Sequence, residues 1–285
     1  MRLEFRFENP HTDWAVLHVF KKYYEYFIKE NPHIECSYIN SSQFYNGNPS
    51  GIYSAQIMTI TNLDTKKYLI VSYWDKPVEM TWNGNGWDTN YRVELISSAG
   101  SKPELNFTPY SYLPYSIIFD SLSKNSKKID EKDKNELEFR GFLYNERLSL
   151  SKIGDIKITN EKIFPVERYF EELTNNKICL SLNGAGEICN RDIEVLSARS
   201  ALLRPKLNLQ FHNKLIPDYH YVSFEMDNDP IILNKIILDR YNEVKDDTEF
   251  LKYISENGYQ WYLENGTVDS NVRILKEIID INKLQ

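Results

Sequence analysis

The feature that most constrains this chain is a rhythm in its second half, where short apolar runs of β character alternate with segments of helical period. Leu137 to Phe142 reads as a strand, Glu146 to Ile153 and Val166 to Leu173 as helices, and Ile178 to Leu182 as a strand again. Arg191 to Ala198 continues as a helix, and Ala201 to Arg204 and Tyr219 to Phe224 as strands. Three helices then run from Pro230 to Tyr241, Thr248 to Leu263 and Asp269 to Ile279. Strands joined through helices do not pair by tight turns, so the pattern predicts an α/β fold with a parallel sheet. Ligands of such a sheet bind at the carboxyl ends of its strands.

The first half gives a weaker version of the same layer. Leu3 to Phe7 alternates like a strand, and Asp13 to Glu30 carries Trp14, Leu17, Phe20, Tyr24, Phe27 and Ile28 at near-helical spacing. Ile34 to Ile39 reads as a strand, and the β-rich segments Gln56 to Thr61 and Lys67 to Trp74 flank a turn at Asn62-Leu63-Asp64. Thr81 to Asn90, dense in Asn, Gly and Trp, reads as a loop. The charged run Lys124 to Asn135 reads either as a boundary between domains or as a solvated helix face. A chain of 285 residues fits two domains of roughly 130 residues each.

Charge and cysteine use exclude several classes of function. A formal net charge of −7 argues against a non-specific nucleic-acid binder, which needs a basic face to release counterions. Cys36, Cys179 and Cys189 are too few and too scattered for a disulfide framework or a zinc cluster. The first residues alternate charged and apolar side chains without an apolar signal core, and no run approaches a membrane span, so the expected location is cytoplasmic. Twenty Tyr and five Trp offer flat apolar faces with polar edges, suited to sugars and equally to an ordinary core.

Asn183-Gly184-Ala185-Gly186-Glu187-Ile188-Cys189-Asn190-Arg191-Asp192 is the stretch with the most chemical content. An apolar strand that breaks into glycines and enters a helix presents bare backbone N–H groups to a phosphate, and Arg191 adds a positive charge in the first turn. The stretch is neither a Walker loop nor a complete Rossmann fingerprint. In Phe139-Arg140-Gly141, with Arg147 downstream, two guanidinium groups flank a strand-to-helix loop, where they would hold either phosphate oxygens or neighbouring glutamates. The apolar strand from Tyr68 delivers Asp75 just ahead of Pro77, as a catalytic base or as a loop cap. His220 enters a strand, where a structural role competes with a catalytic one, and the five histidines show no metal-ligand spacing. Asp227-Asn228-Asp229 resembles a metal-holding triplet, but its place before Pro230 also makes Asp229 a helix N-cap.

Taken in order, these pieces resemble the capsule-associated transferases and protein O-glucosyltransferases, inverting enzymes of the GT-B fold with two Rossmann-like domains facing a cleft. The likeness runs through Trp74-Asp75-Lys76-Pro77, Phe139-Arg140-Gly141 with Arg147, the segment Lys177 to Glu194, and Leu215 to Val222 with the late helices. It implies an acceptor-side domain over 1–130 carrying the base, a nucleotide-sugar domain over 136–265, and a last helix over 266–285 packing back on the first domain. It further implies Asp75 as the base that deprotonates the acceptor hydroxyl, with Arg140 and Arg191 countering the charge on the departing diphosphate. Gly141, Gly184 and Gly186 would let the backbone approach the nucleotide, with Arg147 and Asn183 beside them. No cofactor or metal would be required. The implied donor is UDP-xylose, favoured, or UDP-glucose; the chain departs from the family in its shortness and in the helix start Asn190-Arg-Asp-Ile-Glu194, which points to a glycan rather than a protein as acceptor. A noncatalytic nucleotide-sugar or glycan-binding module on the same scaffold is the alternative. A metal-dependent transferase built on Asp227 and Asp229 is the other.

Overall fold

The computed structural model describes residues 1–8, 21, 24–41, 57–65, 68–72, 92–97, 115–140, 156–159, 165–183, 189–208 and 213–281. Among them the architecture is α/β, with a five-stranded sheet in the first half of the chain and, in the second half, a three-stranded sheet and a two-stranded pair. The first sheet has the order β2-β1-β3-β4-β5, formed by β1 (Arg2–Glu8), β2 (Glu35–Ser41), β3 (Ile57–Asn62), β4 (Tyr68–Ser72) and β5 (Arg92–Ser97). Strand β1 alternates exposed Arg2 with buried Leu3 and Phe5, which fixes its register against β2 from Arg2↔Glu35 to Glu8↔Ser41. Helix α1, described over 24–30, lies on that buried face, with Phe27 and Tyr24 at 5.1 and 5.4 Å from the Phe5 ring.

This first sheet is mixed rather than purely parallel. β1 with β2 and β4 with β5 are parallel, but β3 is antiparallel to both β1 and β4. The cause is local: Asn62 Oδ1 accepts from the N–H groups of Asp64 (2.8 Å) and Thr65 (3.2 Å), an Asx turn that folds β4 directly back on β3.

In the second half the strands are parallel throughout. β8 (Ile178–Leu180), β9 (Ala201–Pro205) and β10 (Val222–Phe224) form a sheet in the order β10-β9-β8, and β6 (Glu138–Arg140) pairs with β7 (Lys157–Thr159). A parallel bridge between Lys134 and Asn176 lays the run into β6 beside the run into β8, so both strands point the same way. Around this sheet pack α2 (Tyr115–Leu122), α3 (Val166–Asn175), α4 (Asn190–Ser197), α5 (Pro230–Val244), α6 (Thr248–Asn265) and α7 (Val268–Ile281). Two cores result, one on each side of the strands. Phe119, Phe170, Leu196, Tyr221 and Trp261 share one; Ile129, Phe139, Leu203, Val222 and Ile254 share the other.

The charged run after α2 is not a solvated helix face. It forms two 3-10 turns, Ser123–Asn125 and Ile129–Glu131, and it puts Ile129 fully into the core. The helix starts obey ordinary capping chemistry. Asp229 Oδ1 accepts from Ile231 N (2.8 Å) and Ile232 N (3.4 Å) with Pro230 in the first helical position, so the triplet Asp227-Asn228-Asp229 serves as the N-cap of α5. No helix among the described residues is long and apolar enough to cross a membrane.

Helix α6 meets α4 and the turn ahead of β10 through Gly258, where a Cβ would lie 2.5 Å from the His220 carbonyl oxygen and 2.8 Å from Leu196 Cδ2. Gly258→Ala gains about 1 kcal/mol of helix propensity but forces a backbone carbonyl to move. The expected net result is a loss of about 1–2 kcal/mol, read as a lowered thermal midpoint; an unchanged or raised midpoint would show that α6 shifts freely.

Candidate functional site

Parallel topology gathers the carboxyl ends of β6, β8, β9 and β10 on one edge. Arg140 ends β6, Asn183 follows β8, and α4 begins on the far side of residues 184–188. The two segments are joined directly, since the Arg191 guanidinium lies 5.4 Å from the centre of the Phe139 ring. The structure therefore brings Arg140, Asn183 and Arg191 of the expected site to one edge. Asp75, Gly141, Arg147, Gly184 and Gly186 lie outside the described residues, and Arg140 is described by its backbone alone.

Arg191 is buried, and its orientation is set by β8 and α3. Its Nε donates to the Leu180 carbonyl at 2.8 Å and its Nη1 to the Tyr169 hydroxyl at 3.5 Å. Tyr169 in turn donates to Glu194 Oε2 at 2.8 Å. Burial disfavours the Arg191 charge, but Tyr169, Cys179 and Glu194 around it outweigh that effect and hold its pKa above the usual value. Burial also raises the Glu194 carboxyl, against the Tyr169 hydrogen bond and the Arg191 charge. The result is a fixed cation in the first turn of α4, where it adds to the positive end of the helix dipole.

A second arginine, not singled out by the sequence reading, clamps both flanks of residues 184–188. Arg204 and Asp192 form an ion pair at 2.9 Å with each side chain 1% exposed. Arg204 Nε donates to the Pro205 carbonyl (2.9 Å) and Nη2 to Asn183 Oδ1 (3.4 Å). Asp192 Oδ2 accepts from Cys189 N at 2.7 Å, which caps the start of α4. One guanidinium thus connects Asn183, where the chain enters the 184–188 stretch, with the Asp192–Cys189 pair, where it leaves. The available signal was a charged residue inside the apolar strand Ala201-Leu-Leu-Arg204-Pro, since an arginine there needs a buried partner.

His220 stands apart from this edge. Its Nδ1 accepts from Ile216 N at 2.8 Å, and burial lowers the imidazole to about 4, so it is a neutral acceptor at physiological pH. The neighbouring Asp218, with φ 54°, accepts from Ser223 N and Ser223 Oγ, each at 3.0 Å, and pairs with Arg240 at 2.9 Å. Both side chains hold the loop that leads into β10.

No family model matches the chain, and no curated protein matches it. Among solved structures it is similar to a glycosyltransferase from Rickettsia africae, at 11% identity and a TM-score of 0.39, covering 67% of this chain and 64% of that one. It is also similar to the C-terminal domain of a group 1 family glycosyl transferase from Francisella tularensis, at 12% identity and a TM-score of 0.31, covering 62% of this chain and 70% of that one. The chain thus spans a little under two thirds of the Rickettsia protein.

Proposed function

We propose that the chain is an inverting glycosyltransferase that moves xylose or glucose from a UDP-sugar to a glycan hydroxyl without a metal. The observation that carries this reading is the convergence of β6, the exit of β8 and the start of α4 on one carboxyl edge, with Arg191 seated on Phe139. Such an edge, with backbone N–H groups and a buried cation behind it, suits a diphosphate leaving group. The ordered likeness of the Asp75, Arg140, Gly184 and Arg191 segments to the capsule-associated and O-glucosyl transferases supports the same chemistry.

In this reading Asp75 removes the acceptor proton as the hydroxyl oxygen attacks the anomeric carbon from the face opposite the nucleotide. The bond from that carbon to the diphosphate oxygen breaks, and its electron pair stays on UDP. Arg140 meets the growing charge directly, with Arg147 and the backbone of Gly141, Gly184 and Gly186 lining the nucleotide. Arg191, bonded to Leu180 and Tyr169, acts from behind the loop through its field and by holding α4 in place.

The test is thermal-shift and turnover screening of the native chain and Asp75→Asn against UDP-xylose, UDP-glucose, a GDP-sugar and a CMP-sugar, with EDTA present. A donor at about 100 times its Kd stabilises the fold by roughly 2.7 kcal/mol. The expected result is stabilisation of both proteins by a UDP-sugar, with turnover about a hundredfold lower in Asp75→Asn. Stabilisation without turnover by either protein would favour the noncatalytic binding module. Loss of native activity in EDTA would favour a metal-dependent transferase.

A further inference from the structure

Three helices meet on a single carboxyl group. Asp120, in the last turn of α2, accepts from the Tyr262 hydroxyl of α6 through Oδ1 (2.5 Å) and from the N–H of Val268, the first residue of α7, through Oδ2 (2.8 Å). Both donors are neutral, so these bonds bring no countercharge to the carboxyl. We propose that Asp120 is a proton-operated latch: its neutral form holds the start of α7 on α2, and its ionised form lets the α6–α7 corner open. The latch does not rest on the glycosyl-transfer reading.

The start of α7 is tied into one piece. Thr267 Oγ1 accepts from Ser270 N at 3.1 Å, and Asn271 Nδ2 donates to the carbonyls of Asn265 and Thr267, both at 2.8 Å. Val268 N bonds that piece to α2. A second tie between α6 and the end of α2, from Tyr259 OH to the Ser123 carbonyl at 3.1 Å, joins two uncharged groups and stays in place when Asp120 titrates. The corner also forms one wall of a cleft of about 720 Å³, with Glu30 and Asn31 of α1 on the other. Opening the latch therefore changes the width of that cleft.

The direction of the switch follows from the surroundings of the carboxyl. Burial disfavours its charge and outweighs the bonds from Tyr262 and Val268; Asp269 of α7 adds to the shift and Lys124 opposes it, so the pKa rises from 3.8 to about 6. The other helices on α2 bring no charge against it: α3 sets Tyr169 and Phe170 on Phe119, and Glu194 of α4 is taken up by the Tyr169 hydroxyl. Opening the corner hydrates Asp120 and returns it to the ordinary carboxylate range. The closed corner therefore binds the proton more tightly, and raising the pH through about 6 favours opening. The same sign holds for the whole fold, whose stability this group lowers as pH rises from 3.8 to about 6. The neutral carboxyl keeps both contacts: Oδ2 still accepts from Val268 N, and Oδ1–H donates to the Tyr262 oxygen, whose own hydrogen turns to Ser123 beside it.

The experiment is amide hydrogen exchange of the full chain at pH 5 and pH 7.5, read at Val268, Ser270 and Asn271 and corrected for the intrinsic pH dependence of exchange, for the native protein and Asp120→Asn. The opening constant of these amides is expected to rise about tenfold between the two pH values in the native chain, without response to low urea, the mark of a local opening. In Asp120→Asn, whose amide keeps an acceptor for Val268 N and never ionises, it stays constant. Carboxyl NMR of the native chain follows the Asp120 titration itself and covers the case in which the variant does not fold; a midpoint near 6 is expected. Constant protection in the native chain, the same rise in Asp120→Asn, exchange that follows global unfolding in urea, or a midpoint in the ordinary carboxylate range would each overturn the latch.

Discussion

Arg204→Leu is expected to lower the free energy of unfolding by about 3–5 kcal/mol, which for a unit of this size moves the thermal midpoint by roughly 10 °C. The argument is one of asymmetry. Arg204 and Asp192 are both 1% exposed and 2.9 Å apart, so neither ion keeps its hydration. Removing the guanidinium leaves the Asp192 carboxylate buried with only the Cys189 N–H named above, and it frees the Pro205 carbonyl and Asn183 Oδ1. Breaking a buried pair costs more than replacing it, so Asp192→Asn combined with Arg204→Leu should recover part of the loss. Urea unfolding of the two single variants and the double variant measures this directly. A single-variant loss under about 1 kcal/mol would mean that water reaches the pair. Because Arg204 holds both flanks of residues 184–188, any UDP-sugar stabilisation should weaken in Arg204→Leu even at temperatures where the variant is folded.

What could be read from the sequence was what is local. The β8-to-α4 unit was legible because an apolar run, a break and a helical period follow one another within a few residues. The Asp229 cap was legible as one of two readings because Pro230 follows it, and the β3–β4 hairpin because Asn62 and Asp64 favour turns. The partners of Arg191 were not, since Tyr169 lies on α3 and Phe139 on β6, and only the parallel topology brings them together. Arg204 was passed over for the same reason: its strand read as buried, and the question of which acid would accompany the charge has a tertiary answer. The mixed pairing of the first sheet follows from the Asx turn, yet the side on which β1 receives β3 depends on pairing between residues distant in sequence, such as Leu3 with Asn62.

The strongest case of a misleading composition is Lys132, and it gives the second large expected effect. Its surroundings, Lys124 to Asn135, read as solvent-facing, but Lys132 is 4% exposed. Its Nζ donates to the Thr174 carbonyl (2.7 Å), the Ala198 carbonyl (3.1 Å) and Ser200 Oγ (3.1 Å), tying the second 3-10 turn to α3 and to the α4–β9 connection. Replacing it by Met leaves the Thr174 carbonyl and Ser200 Oγ without this donor and the Ala198 carbonyl with only a 3.4 Å bond from Thr174 Oγ1, while relieving the burial of a charge, and the expected net loss near neutral pH is about 2–4 kcal/mol. None of the three acceptors carries a countercharge. Burial therefore dominates and lowers the Lys132 pKa from 10.5 to about 7, with Cys179 opposing the shift and Lys127 and Arg199 adding to it. A folded pKa below the unfolded one means that the unfolded chain binds more protons between about pH 7 and 10.5, so this group makes stability rise with pH across that window. The free energy of unfolding of the native chain should accordingly gain on that of Lys132→Met between pH 7 and 9.5. Urea titrations of both proteins at several pH values across that range decide the matter. A constant gap would show that three dipoles suffice to keep a buried ammonium charged, and the pH-dependent part of the argument would fall while the hydrogen-bond part stood.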